Sequence, residues 1–192
     1  MRSADVDILI VPGWGNSDDD HWQSRWIRGM RTATRVEQDD WLLPDRNRWV
    51  ERVVAAVANA SRPAVLVGHS LGVATVLLAA PDLAADKVAG AFLVSPSDLD
   101  AMATWPRDSG QDWQAIVGSF GAMPTAQLPF PAKVIASSND PFCSVARAQA
   151  LGALWGADVS IVADAGHINS GSGHGPWPEG LLTFGQFLRS LP

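Results

Sequence analysis

The chain has 192 residues, 47% hydrophobic and 18% charged, a balance typical of a globular protein with no disordered segment. Its formal charge is −6, and its 12 Arg and 2 Lys form no basic run, which argues against nucleic-acid binding. A lone cysteine, Cys143, allows no disulfide within the chain, and no apolar run suits a signal peptide or a membrane span, so we expect a cytoplasmic protein that binds no membrane.

Short β-rich runs alternate with longer helical patterns along the sequence. Six runs predict strands at 6–11, 35–38, 64–68, 88–94, 133–137 and 158–162. Helical patterns fall at 20–31, 46–60, 71–80, 111–120, 143–155 and 180–191. This alternation predicts an α/β protein, a three-layer sandwich whose doubly wound, mostly parallel six-stranded sheet lies between helices. Since no linker or change of composition divides the chain, we expect one domain over 1–192.

One pentapeptide, Gly-His-Ser-Leu-Gly at 68–72, fits the pattern G-x-S-x-G. It lies between an apolar strand and an apolar helix, where a sharp turn would expose the oxygen of Ser70 at the carboxyl edge of the sheet. Glycines are needed on both sides because larger side chains would collide with the neighbouring strand and helix. The sequence therefore predicts Ser70 as a nucleophile, with the amide of Leu71 at the helix N-terminus as one oxyanion donor.

A glycine-rich loop follows the first strand, with the sequence Pro-Gly-Trp-Gly-Asn at 12–16. In a doubly wound sheet the ligand crevice lies outside the carboxyl ends of the strands, where the strand order reverses. If the first strand and the strand before Ser70 are neighbours there, the amide of Trp14 faces the serine. We therefore expect Trp14 to supply the second oxyanion donor.

Four segments together resemble the α/β-hydrolase superfamily: PGWGN at 12–16, GHSLG at 68–72, SSNDPF at 137–142 and DAGHIN at 164–169. More narrowly, with HWQSRW at 21–26, the whole chain resembles the bacterial relatives of retinoblastoma-binding protein 9, including the YdeN-type hydrolases. The resemblance implies the compact form of the fold, with strand order 2-1-3-4-5-6 and no leading antiparallel hairpin. It also implies serine-hydrolase chemistry on a small-molecule acyl substrate, without a cofactor.

The general base is sought among four histidines, because in this fold the partners follow in the order Ser, then Asp or Glu, then His. His167, after the last strand, is the predicted base, and His174 in the next loop is its rival. His69 lies inside the pentapeptide, with its ring expected to point away from Ser70. His21 precedes the serine and is expected to cap or flank the first helix.

The acid that orients the base is predicted to be Asp140, just past the fifth strand. The alternative interpretation of Asp140 is an N-cap for the helix that follows. Asp98 and Asp100, past the fourth strand, occupy a second position from which an acid could act. Asp164 is too close in sequence to the base to be a strong candidate.

Neither the lone cysteine nor the acidic run near the N-terminus predicts further chemistry. Cys143 has no histidine at a useful spacing and is expected to be a packed apolar residue. The run from Asp18 to His21 offers ligand atoms, but four consecutive residues rarely converge on one ion, so we expect no metal site.

The sequence contains nine tryptophans and no tyrosine. Three lie on helical patterns and are expected to pack against the sheet: Trp26, Trp49 and Trp155. Three others fall in loops at the carboxyl edge and are expected, together with His69, to line the substrate pocket: Trp14, Trp105 and Trp177. A pocket with aromatic walls and few charges favours small apolar or aromatic acyl groups.

A proline-rich stretch at about 98–130, with one helix, is expected to form a small cap over the crevice. A cap of this size should leave the site open and its selectivity low. The sequence thus predicts a serine hydrolase that cleaves carboxylic esters or related acyl bonds through an acyl-enzyme; thioester and amide cleavage would use the same residues. The alternative is a weakly active or non-catalytic binding protein with the same fold. The sequence does not identify a protein partner, and the peptide pattern L-x-C-x-E is absent.

Overall fold

A computed structural model describes residues 1–107 and 110–192 of the chain; residues 108–109 of the predicted cap lie outside the described residues. Its centre is a six-stranded sheet in the order β2-β1-β3-β4-β5-β6, with every neighbouring pair parallel. The strands are β1 (Asp7–Val11), β2 (Ala33–Arg35), β3 (Ala64–Ser70), β4 (Val88–Pro96), β5 (Ala132–Ser137) and β6 (Asp158–Val162). The predicted fold class and strand order are confirmed.

Helices cover both faces of this sheet: α1 (Trp22–Gly29), α2 (Arg46–Ala58), α3 (Leu71–Ala79), α4 (Trp113–Val117), α5 (Val145–Trp155) and α6 (Pro178–Ser190). Successive side chains of a strand point to opposite faces, so Leu9 and Ile10 of β1 enter two different cores. One core holds Trp49 and Trp155, and the other holds Trp26. Burial on both faces explains why the central strands are continuously apolar.

Capping side chains decide where two of the helices begin. His21 accepts a hydrogen bond from the amide of Gln23, so α1 begins at Trp22, two residues later than predicted. Ser144 accepts from the amide of Arg147 and caps α5. The alternative interpretation of Asp140 as the cap of this helix is therefore wrong.

Two predicted elements differ from the structure. The second strand was expected at 35–38 but is β2 at Ala33–Arg35, because its register is fixed by pairing with its single neighbour β1, Ile8 opposite Ala33. The helix expected at 111–120 is shorter: α4 ends at Val117, and a 3-10 turn (Gly118–Phe120) follows. Gly118 is a poor helix former at this point, and the change of turn type accompanies burial of Phe120 in the core.

Within the described ranges, no helix has both the length and the apolar character needed to cross a bilayer. The carboxyl ends of β1, β3, β4 and β5 lie side by side at one edge of the sheet. The segments that leave these ends build the candidate site.

Candidate active site

Ser70 is the last residue of β3 and the N-cap of α3, so it occupies a strained turn between the two elements. Its φ of 59° and ψ of −124° are unusual for a residue with a side chain, a conformation that costs on the order of 1–3 kcal/mol. Two glycines permit the turn. A Cβ on Gly72 would lie 2.1 Å from the carbonyl oxygen of Val11, and one on Gly13 would lie 2.7 Å from the Cβ of Ser70. The loop after β1 therefore packs directly against this turn.

Hydrogen bonds join Ser70, His167 and Asp140 in a row. The Oγ of Ser70 lies 2.8 Å from Nε2 of His167, and Nδ1 of the same ring lies 2.9 Å from Oδ1 and 3.0 Å from Oδ2 of Asp140. A carboxylate can only accept, so Nδ1 carries a hydrogen, and in the neutral ring Nε2 accepts from the serine hydroxyl. The structure thus brings together three residues that lie far apart in sequence.

Polar side chains at the end of β5 hold the loop that carries His167. The buried Oγ of Ser137 accepts from the amide of Ala165 at 3.0 Å, and Oδ1 of Asn139 accepts from the amide of Gly166 at 2.7 Å. The loop contains two non-glycine residues with positive φ, Asp164 at 50° and Ile168 at 46°. Hydrogen bonds to Ser137 and Asn139 therefore hold the loop of His167 in a conformation that it would not adopt alone.

Ser97, which follows β4, also contacts the serine oxygen and was missed by the sequence analysis. Its Oγ lies 2.9 Å from that of Ser70, and its side chain is buried. The single hydroxyl hydrogen of Ser70 is directed to His167, so Ser97 is the donor in this second bond. Its place directly after the predicted fourth strand, at the same edge, was the only signal in the sequence.

Two further histidines continue the row of rings behind His167. Nε2 of His69 donates to the main-chain oxygen of His167 at 2.9 Å, and the rings of His21 and His69 lie 4.9 Å apart. Burial, together with the nearby His21 and His167, puts the pKa of His69 well below 6.5. Burial also lowers the pKa of His21 to about 4, against an opposing effect of Asp18. Both rings are neutral near pH 7.

A cavity of about 340 Å³ opens beside Ser70 and His167. One contiguous part of its lining, here called the aromatic wall, consists of Trp14, Trp105, Trp113, Val117 and Phe142. Ring contacts connect this wall, with centroids 5.0 Å apart for Trp14 and Trp113 and 5.4 Å apart for Trp105 and Phe142. A second part, the polar wall, consists of Asn16, Asp18, His21, Asn169 and Ser170.

The predicted pocket residues divide into three that line this cavity and one that does not. Trp14, Trp105 and His69 are lining residues. Trp177 is not, and that prediction is wrong. It directly precedes α6 and packs in the core against Trp22 and Trp26 of α1, with ring centroids 5.1 and 6.1 Å away.

The rival acid and base positions make other contacts. Asp98 and Asp100 both form ion pairs with Arg147, the first at 3.1 Å. His174 lies 3.3 Å from the hydroxyl of Ser172, and it is not among the residues that line the cavity. Among the hydrogen bonds of the described residues, none joins Asp98, Asp100 or His174 to Ser70 or His167.

Cys143 is buried, as predicted. Burial is the largest cause that raises the pKa of its thiol to about 12, and the negative charges of Asp98 and Asp140 add to it. The thiol therefore stays protonated and is a poor nucleophile. Within residues 1–107 and 110–192, no three His, Cys, Asp or Glu side chains are placed to hold a metal ion.

A parallel sheet of this order, with a serine on the turn after its central strand and an acid and a histidine on later loops, defines an α/β-hydrolase. The family model for serine hydrolases matches residues 8–186, so the chain belongs to the serine hydrolase family and is a hydrolase of the YdeN type. No curated protein matches the sequence closely enough to count as a relative.

Three solved structures illustrate the similarity. A protein from Pectobacterium atrosepticum, described as a YdeN-like hydrolase, is 30% identical, with a TM-score of 0.83 over 99% of this chain and 95% of its own. The ydeN product of Bacillus subtilis is 21% identical, with a TM-score of 0.68 over 95% and 98% of the two chains. An esterase from Rhodococcus is 18% identical, with a TM-score of 0.63 over 99% and 92%. At 21% and 18% identity, the similarity to the last two structures shows that this chain shares their fold.

Proposed function

We propose that the protein hydrolyses carboxylic esters, or related acyl bonds, of small substrates through a Ser-His-Asp triad. Ser70 is the nucleophile, His167 the general base and Asp140 the acid that orients the base. The observation that carries this proposal is the unbroken row of hydrogen bonds from the serine oxygen to the carboxylate, with 2.8 Å and 2.9 Å steps. A positioned base typically contributes about 10²–10⁴-fold to such a reaction.

In the first half of the reaction, Oγ of Ser70 attacks the substrate carbonyl carbon while Nε2 of His167 takes the hydroxyl proton. The amides of Trp14 and Leu71, residues that both line the cavity beside the serine, donate to the oxygen that becomes negative. The imidazolium then gives its proton to the leaving group as the carbon–oxygen bond breaks. In the second half, water attacks the acyl-enzyme, and His167 again takes and returns the proton.

The aromatic wall favours acyl groups that are small and apolar or aromatic. Its rings contact one another and enclose part of a cavity of about 340 Å³, at the lower end of the volumes typical of small-molecule sites. Thioesters and small amides require the same residues and remain within this proposal. Ser97 holds the serine oxygen before attack, through the hydrogen bond that it donates.

The proposal is tested by labelling with a fluorophosphonate probe and by turnover of short-chain nitrophenyl esters. We expect Ser70→Ala to lose the label and turnover completely, and His167→Ala to lose at least about 10³-fold in both rates. His174→Ala, a histidine outside the cavity lining, is the matched control and should behave as wild type. If the folded wild type neither labels nor turns over, the proposal is wrong, and a non-catalytic binding protein with this fold replaces it.

A further inference from the structure

His21 points an unused hydrogen-bond donor at the cavity. Its side chain is 4% exposed and lines the polar wall, and its Nδ1 accepts from the amide of Gln23 at 3.1 Å. The hydrogen of the neutral ring therefore lies on Nε2. Among the described residues, none accepts a hydrogen bond from that nitrogen. This nitrogen is not one of the fully buried atoms that lack a partner, so it keeps contact with solvent, on the side where the ring lines the cavity. It is therefore available to a ligand atom that accepts a hydrogen bond.

The protonation state of this ring supports the same interpretation. Burial lowers the pKa of His21 to about 4, so the ring presents an N–H at neutral pH and stays uncharged. Because Nδ1 already serves as the cap of α1, the ring has no free lone pair with which to act as a base. A neutral donor of this kind recognises an oxygen, nitrogen or sulfur acceptor and gives no special advantage to an anion.

The rest of the polar wall disfavours negative charge. The carboxylate of Asp18 accepts from the hydroxyl of Ser170 and from the amides of Asp20 and His21, and the Ser170 bond is the largest cause of its lowered pKa. It therefore remains ionised at neutral pH. Of the described residues that line the cavity, none is a lysine or an arginine. An anionic group placed here would meet the carboxylate of Asp18 with no cationic side chain among the described lining residues to offset it.

The position of the wall relative to the base indicates which part of the substrate it contacts. Asn169 and Ser170 come shortly after His167 in the chain, separated from it by Ile168. His21 packs against His69, whose ring contacts that of His167. The leaving atom must lie near Nε2 of His167 to receive its proton. The apolar acyl chain is best buried against the aromatic wall, so the polar wall is left for the leaving group.

We propose that the polar wall is a leaving-group subsite that takes an uncharged alcohol or thiol carrying a hydrogen-bond acceptor, which accepts from Nε2 of His21. The subsite rejects leaving groups that carry a carboxylate or a phosphate. It makes His21 a specificity-determining residue, distinct from the three residues that carry out the chemistry. This proposal rests on the proposed function, because it assumes acyl transfer to Ser70.

Three butyrate esters that differ only in the alcohol test the subsite. The alcohols are 2-ethoxyethanol, pentan-1-ol, in which a methylene replaces the ether oxygen, and 4-hydroxybutanoate, which carries a carboxylate. We expect kcat/KM to fall about tenfold from the ether ester to the pentyl ester, the effect of one buried hydrogen bond. The anionic ester should fall further. Equal values for the ether and pentyl esters, with both hydrolysed, would overturn the subsite and leave the hydrolase proposal intact.

Two substitutions at His21 separate recognition from helix capping. His21→Asn keeps an oxygen near Nδ1 to cap α1 but removes the Nε2 donor, so the ether ester should lose its advantage over the pentyl ester. His21→Gln places an amide N–H near the Nε2 position and should restore part of it. His174→Asn is the control and should change neither value. Fluorophosphonate labelling of Ser70 should persist in all three variants, and its loss from His21→Asn alone would contradict a role confined to recognition.

The charge part of the proposal has its own variant, Asp18→Asn. The amide keeps an oxygen for the two backbone donors and removes the negative charge. We expect the rate on the anionic ester to rise at least about threefold relative to the ether ester. An unchanged ratio would show that Asp18 does not exclude anions. If the folded wild type hydrolyses none of the three esters and is not labelled, both this inference and the proposed function are wrong.

Discussion

The turn at Ser70 and the loop at His167 meet at one edge of the sheet, and both contain residues with positive φ, but different forces hold them. Ser70 is fixed by packing, because Gly72 lets α3 press against the backbone of Val11 at the end of β1. The loop of His167 is fixed by hydrogen bonds that its amides donate to side chains at the end of β5, above all to Ser137. The glycine that permits the packing belongs to the same pentapeptide as Ser70, although the backbone that it meets lies on β1. The hydrogen bonds at the second loop need side chains that lie 27 and 28 positions away from their partners.

The largest effect is expected when a side chain fills the space between α3 and β1 beside the turn at Ser70. In Gly72→Ala the new Cβ would meet two backbone oxygens, at 2.1 and 2.6 Å, so α3 must move away from β1. We expect a loss of about 3 kcal/mol in the free energy of unfolding, and about 10²-fold or more in kcat/KM, because Ser70 and the Trp14 loop separate. Urea unfolding and nitrophenyl ester turnover measure the two effects.

The matched control for this variant is Gly185→Ala, inside α6, where the nearest atom to a new Cβ is 3.8 Å away. That change should raise stability by about 0.5–1 kcal/mol and leave turnover unchanged. Equal behaviour of the two variants would show that the turn tolerates a side chain at position 72, and packing would not be what fixes Ser70.

An intermediate effect is expected when the hydrogen bonds that hold the loop of His167 are broken. Ser137→Ala leaves the amide of the buried Ala165 without its acceptor, which should cost about 2 kcal/mol and lower kcat/KM about tenfold as His167 loses its position. The neighbouring Ser138→Ala is the control, because Ser138 bonds to Asp164 at an exposed site where water can replace it. Its cost should stay below about 1 kcal/mol. A loss of stability in Ser137→Ala without any loss of activity would contradict a positioning role.

The smallest effect is expected at Ser97, which contacts the turn through the oxygen of Ser70. Ser97→Ala should slow fluorophosphonate labelling about three- to tenfold, the value of one hydrogen bond to Ser70, with little change in stability. Ser95→Ala removes a buried hydroxyl that has no hydrogen-bond partner among the described residues, so it should raise stability by about 1 kcal/mol and leave labelling unchanged. Equal labelling rates in the two variants would show that Ser97 does not position the nucleophile.

The sequence alone determined the fold class, the strand order implied by the family resemblance and the turn at Ser70. These features are local or repetitive: an apolar run predicts a buried strand wherever it lies, and Gly68 and Gly72 flank the serine within one pentapeptide. The short edge strand β2 was misplaced because its register depends on β1, a contact that its own residues do not encode.

Only the tertiary structure decided how the cavity is lined. Trp105 and Trp177 are both loop tryptophans in the sequence, yet one lines the cavity and the other packs in the core, because loop direction is set by contacts with other elements. Ser97 reaches the serine oxygen, and His21 reaches the polar wall, for the same reason. Parallel strands bring their carboxyl ends together from distant parts of the chain, so the neighbours of Ser70 are fixed by sheet order and register and not by sequence spacing.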